Sequence, residues 1–179
     1  MIAITGATGQ LGQHVIEELL KTVPASQIVA IVRNPAKADA LSQRGIVVRQ
    51  ADYTDQAAFT TALNGVDKLL LISSSEVGQR AVQHQNVINA AKAAGVKFIA
   101  YTSLLHADRS PLGLADEHVA TKKMLAESGQ LREKKIQASA YHGGRYPAGR
   151  KNSCGGTDRS GNRRIRKKHK PGSRLQGNH

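Results

Sequence analysis

Short apolar runs alternate with longer amphipathic stretches along the first 129 residues of the chain. Residues 2–5, 28–32, 46–50, 68–72 and 97–101 are brief runs rich in Leu, Ile and Val. They lack regular polar alternation, which predicts strands covered on both faces of a sheet. The segments between them have helical spacing. Residues 10–21 carry Leu11, Val15, Ile16, Leu19 and Leu20 on one expected stripe. A short helix is expected over 37–43. Another is expected over 55–63, capped by Asp55, with Ala58, Ala62 and Leu63 inward and Asn64-Gly65 as its stop. Residues 77–94 predict a long helix with Val82, Val87, Ile88, Ala91 and Ala94 on its apolar stripe and Gly95 past its end. A loop over 104–114 leads to a helix over 115–127, ended by Ser128-Gly129. Strands alternating with helices imply an α/β fold with a doubly wound parallel sheet, because parallel neighbours need crossover connections. The expected order of the five strands is 3-2-1-4-5, with a sixth due beside the fifth.

The turn after the first strand sharpens this picture. Gly6, Gly9 and Gly12 follow it at three-residue spacing, and the first helix opens among them. Glycines there permit a tight turn and let a diphosphate approach the backbone. The helix start offers free N–H groups and the positive end of its dipole. A glycine-rich turn that only packs strand on helix is the plain alternative.

Other candidates stand at the carboxyl ends of later strands, where ligands of such sheets bind. Arg33 follows the second strand, where an acidic residue would suit the ribose 2′-OH of NAD. Its fixed, planar charge suits the 2′-phosphate of NADP instead; a surface arginine opening a loop is the alternative. Ser73, Ser74 and Ser75 follow the fourth strand. Their hydroxyls and backbone are candidates for ribose or nicotinamide contacts, against a serine loop without a ligand. His118 and Lys122 share one face of the last helix. We read that spacing as coincidental, with Lys122 and Lys123 on a solvated face. Tyr101, Thr102 and Ser103 end the fifth strand, where substrate could approach. No catalytic residue and no metal site is assigned.

Composition changes abruptly after Gly129. Residues 1–129 hold 12 Lys/Arg against 11 Asp/Glu, whereas residues 130–179 hold 14 against 2. The net charge of +13 is therefore a property of the last fifty residues. That segment has four Leu, Ile or Val residues and no periodicity, so disorder is expected. Residues 163–170, RRIRKKHK, would suit a nucleic-acid arm. The alternative is an ending translated out of frame. Grammar, charge and composition break together in the middle of an expected fold, which favours the out-of-frame ending over a nucleic-acid partner. Cys154 is the single cysteine, and no signal peptide or membrane span is evident. These point to the cytoplasm.

The segments MIAITGATGQLG, QIVAIVRNPAKA, VRQADYTD, KLLLISSSEVGQR, NVINAAKAAGVKFIAYTSLLHAD and PLGLADEH closely resemble bacterial NADPH-dependent quinone oxidoreductases. These belong to the NmrA-like, atypical short-chain dehydrogenase family. The resemblance covers residues 1–129 and about half of a full member. It implies a Rossmann domain that binds NADPH and delivers hydride to a quinone. It also implies that Gly6, Ala7, Thr8, Gly9, Gln10 and Leu11 form the phosphate loop. Asp52, just after the third strand, would meet the adenine amino group as in relatives, or serve only as a turn or cap residue. Members continue past this point with a further strand and a smaller substrate domain, so impaired catalysis is expected here. A non-catalytic NADP-binding redox sensor is the rival function.

Overall fold

A computed structural model describes residues 1–128. The expected domain boundary at 129 and the basic segment 130–179 lie outside the described residues. Five strands form one parallel sheet: β1 (Ile2–Thr5), β2 (Ile28–Val32), β3 (Val47–Gln50), β4 (Lys68–Leu71) and β5 (Phe98–Tyr101), in the order β3-β2-β1-β4-β5. The expected order is the observed one. Ile2 stands opposite Ile28 on one side and Lys68 on the other, so β1 is the central strand.

Successive strand residues face opposite ways, and the sheet divides the core accordingly. Ala3, Val29, Ile31, Leu69, Leu71 and Ile99 belong to one cluster, with Phe59 and Leu63 of α3 (Gln56–Ala62) and its cap, Val87 and Ile88 of α4 (Arg80–Ala93), and Leu125 of α5 (Ala115–Glu127). Ile4, Ile28, Ala30 and Val32 face the other way, onto Ile16 of α1 (Gln10–Leu19) and Leu41 of α2 (Asp39–Gln43). The chain therefore leaves β3, passes to the other face and returns beside β1. That reversal opens a crevice at the carboxyl ends of β1 and β4.

Several helices depart from their expected form. On α1, Leu11 is 42% exposed, and the buried positions are Gly12 and Ile16. Leu11 and Ile16 stand about 140° apart on a helix, too far for one narrow stripe. The expected helix over 37–43 is split into a 3₁₀ turn, Pro35–Ala38, and α2. Asn34 sets that turn, its side chain accepting from the Ala36 N–H at 3.0 Å. In α3 the expected cap holds: Asp55 accepts from the Ala58 N–H at 2.9 Å. Ala58 is only half-buried, and Phe59, absent from the expected inward set, is buried. The long helix begins at Arg80 rather than 77, since Gly78 has φ +87°, outside the helical region. Val82 is 62% exposed and off the core stripe. The buried face of α4 instead starts with Arg80, Gln83 and His84 and continues as Val87, Ile88 and Ala91. The bounds of α5 are as expected.

Candidate functional site

The turn from β1 into α1 is built by close approach. Gly6 has φ +61°, a left-handed conformation that a side chain would strain. Gly12 is required by space: a Cβ there would lie 2.4 Å from the Gly6 carbonyl oxygen and 2.7 Å from Ala7 Cα. The helix can thus sit directly on the turn. The Gly9 N–H donates to the Gly6 carbonyl at 2.9 Å, and the first amides of α1 have no partner within the helix. Ala7 is fully buried beneath.

The carboxyl ends of β1, β2, β3 and β4 enclose an open cleft of about 610 Å³. Eight of the residues singled out from sequence line it: Gly6, Thr8, Gly9, Arg33, Asp52, Ser73, Ser74 and Ser75. Ala7, Gln10 and Leu11 are not among the lining residues. Lys37, Tyr53, Glu76 and Gln83 also line the cleft and were not anticipated as site residues.

Each wall is held by specific bonds. Thr5 Oγ1 accepts from the Ile72 N–H at 2.8 Å, tying β1 to the end of β4. Tyr53 donates its hydroxyl to the Ile72 carbonyl at 2.7 Å, and its burial pushes the phenol up to about 12. Asp52 has two engagements. One oxygen accepts from the Thr54 hydroxyl at 2.6 Å and the Thr54 N–H at 2.9 Å, and these bonds hold the carboxyl below its usual range. The other oxygen lies 4.0 Å from Arg33 Nε. Asp52 thus makes the turn, and its free oxygen faces the cleft beside Arg33. Arg33 also donates to Glu76 Oε1 at 3.3 Å.

The serine loop is fastened from behind by a buried polar network that the sequence reading missed. The Ser73 N–H donates to Thr102 Oγ1 at 2.8 Å. The Ser74 N–H donates to His84 Nε2 at 2.9 Å, and the Ser74 hydroxyl bonds Gln83. A backbone N–H can only donate, so Nε2 of His84 is the unprotonated nitrogen. Nδ1–H then donates to Thr121 Oγ1 at 3.0 Å, and that hydroxyl donates to the Glu117 carbonyl at 2.8 Å. His84 is fully buried, and burial lowers its pKa to about 4. Arg80 donates to the Ser74 carbonyl at 2.7 Å and pairs with Glu117 at 2.8 Å, both side chains largely buried. A legible signal existed: Arg80, Gln83 and His84 continue the stripe of Val87, Ile88 and Ala91 at helical spacing.

Tyr101 and His118 meet at 2.6 Å, away from the cleft lining. Burial pushes the phenol up to about 12 and the imidazole down, so the two meet as neutral groups sharing one hydrogen bond. Lys122 is half-buried and donates to the Leu104 carbonyl at 3.4 Å, which corrects the expected solvated face; Lys123 is exposed. Among the described residues no helix is long and apolar enough to cross a membrane.

Known proteins are similar to this chain in sequence and in fold. Quinone oxidoreductase 2 of Escherichia coli (strain K12) is 83% identical over 129 residues, which is 72% of this chain and 45% of that protein. An NAD(P)H azoreductase of Xenophilus azovorans is 32% identical over 133 residues, covering 72% of this chain and 44% of that protein. Among solved structures, the Escherichia coli NADPH-dependent quinone oxidoreductase QOR2 complexed with NADPH matches with a TM-score of 0.72 and 80% identity. The match covers 74% of this chain and 47% of that one. The Citrobacter sp. triphenylmethane reductase complexed with NADP(H) matches with a TM-score of 0.72 and 47% identity, over 74% of this chain and 48% of that one. The chain spans about half the length of the curated relatives it matches. The profile of the NAD(P)H-binding family extends over residues 6–142, and the chain belongs to that family.

Proposed function

We propose that this chain binds NADPH in the cleft and forms the cofactor-binding part of a quinone-reducing oxidoreductase. The observation that carries this reading is the 83% identity to quinone oxidoreductase 2 across the segment that builds the cleft. The residues present fit such a cofactor. Gly6, Ala7, Thr8, Gly9, Gln10 and Leu11 would form the loop that receives the diphosphate, with Gly6, Thr8 and Gly9 lining the cleft, and any larger residue at Gly12 would push the helix away. Arg33, with Lys37 nearby, would take the 2′-phosphate. Asp52 would border the adenine, and Ser73, Ser74 and Ser75 would run along ribose and nicotinamide.

Bound nicotinamide supplies the hydride; the protein supplies position. Here that work falls to the glycine turn and to the serine loop, which Arg80 and His84 fix through its backbone. More than half of each curated relative lies outside the matched segment. The matched segment is the part that builds the cleft, and we expect this chain to bind NADPH there. The same reading places it in the cytoplasm and takes residues 130–179 as an out-of-frame ending.

Two measurements test this. Fluorescence titration of the full chain should give tighter binding of NADPH than of NADH, and adding a benzoquinone then reads turnover as NADPH oxidation. Brisk turnover would make the chain a competent enzyme, and binding of neither dinucleotide would remove the reading. The nucleotide sequence across codons 125–135 should resume alternating strand and helix patterns in another frame. If neither alternative frame does so, the tail is a genuine ending and the out-of-frame reading falls.

A further inference from the structure

The cleft carries an ion pair between its walls. Arg33 follows β2 and Glu76 follows β4, the two strands that flank β1 in the sheet. Both line the cleft, and Arg33 donates to Glu76 Oε1 at 3.3 Å. Glu76 is not a loosely placed acid. Its other oxygen, Oε2, accepts from Gln83 Nε2 at 2.7 Å, and its own N–H donates to Ser74 Oγ at 3.2 Å. Gln83 is 3% exposed and also bonds the Ser74 hydroxyl. A buried amide on α4 thus aims an acidic group at the guanidinium. Each carboxylate oxygen has one partner, one from the helix behind and one from the opposite wall.

We propose that Glu76, positioned by Gln83, is a latch on Arg33 that sets how strongly the cleft prefers dinucleotides bearing a 2′-phosphate. The inference rests on the proposed NADPH site. Arg33 can hold a phosphate in its bidentate fork only by giving up or sharing its bond to Glu76. A dinucleotide with a free 2′-OH makes no such demand. The carboxylate therefore opposes NADPH binding and is nearly neutral toward NADH. Arg33 and Glu76 are 66% and 49% exposed at their side chains, so solvent screens the pair and its effect is graded.

The test is calorimetric titration of the full chain with NADPH, NADH and adenosine 2′,5′-bisphosphate. It uses wild type, Glu76→Gln, Arg33→Ala and the double variant; the substituted side chains are exposed. Glu76→Gln should tighten NADPH and the bisphosphate by roughly two- to fivefold, the range open to an exposed pair. NADH affinity should stay within twofold or so. The gain should vanish in the Arg33→Ala background. An unchanged or lower NADPH-to-NADH preference in Glu76→Gln would overturn the latch. So would a gain that persists without Arg33, since Glu76 would then act by direct repulsion alone. A wild-type chain that binds neither dinucleotide removes the NADPH site and the latch with it; preference for NADPH without an effect of Glu76 removes only the latch.

Discussion

His84 Nε2 accepts the backbone N–H of Ser74 at 2.9 Å, and through this bond the buried face of α4 holds the loop at the end of β4. The bond fixes the histidine as a neutral tautomer and orients the peptide from which the three serines project. His84→Phe keeps the ring's bulk but leaves a buried N–H without a partner. The expected loss is about 1–3 kcal/mol of stability, read by urea unfolding. Weaker NADPH binding should accompany it, because the serine loop loses its anchor. Unchanged stability would show that the loop does not depend on this bond.

The same histidine sets an acid limit. Its folded pKa is near 4, against an unfolded value of 6.5. Between those values the unfolded chain binds the extra proton, so stability rises with pH there and is lost as pH falls from about 6.5 to about 4. This group alone accounts for a loss on the order of 3 kcal/mol. His118 is shifted in the same direction and adds to it. Thermal unfolding at stepwise pH should show a falling midpoint across this window. A flat profile would mean that His84 is not held buried and neutral.

Arg80 and Glu117 form a pair with 5% and 14% exposed side chains. Arg80→Leu should cost about 3–5 kcal/mol, since a carboxylate is left buried without its partner. Adding Glu117→Leu should recover a good part of that loss. Chemical denaturation of the two variants measures both effects. If the double variant is no more stable than the single, the penalty comes from the lost bond to Ser74 instead.

Gly12→Ala places a methyl group 2.4 Å from the Gly6 carbonyl oxygen. Overpacking of this kind costs about 1–3 kcal/mol, and it should move α1 away from the turn. NADPH affinity should then drop by more than the stability change explains. A variant that binds like wild type would show that the turn can widen without consequence for the ligand.

Arg33→Ala removes the charged fork at the end of β2. NADPH affinity should fall by roughly tenfold or more, the usual worth of hydrogen bonds to a charged group, while NADH affinity barely moves. An equal loss for both dinucleotides would place the 2′-phosphate elsewhere, with Lys37 the next candidate.

The architecture was legible in the chain. Five apolar runs without alternation, separated by helical segments, admit a parallel sheet and little else, because parallel neighbours require crossovers. The glycine turn and the residues at the strand ends followed from that order, as chain order fixes which ends meet. Tertiary structure decided which polar residues support the site. Arg80, Gln83 and His84 lie on the core stripe of α4, where an apolar reading chose Val82 instead. Their partners are Ser74, Thr121 and Glu117, and the last two stand more than thirty residues away. A buried polar group is tolerated only when a partner satisfies it, and no local pattern shows that partner. The meeting of Arg33 with Glu76 has the same origin. Their separation of 43 residues closes only because β2 and β4 flank one central strand.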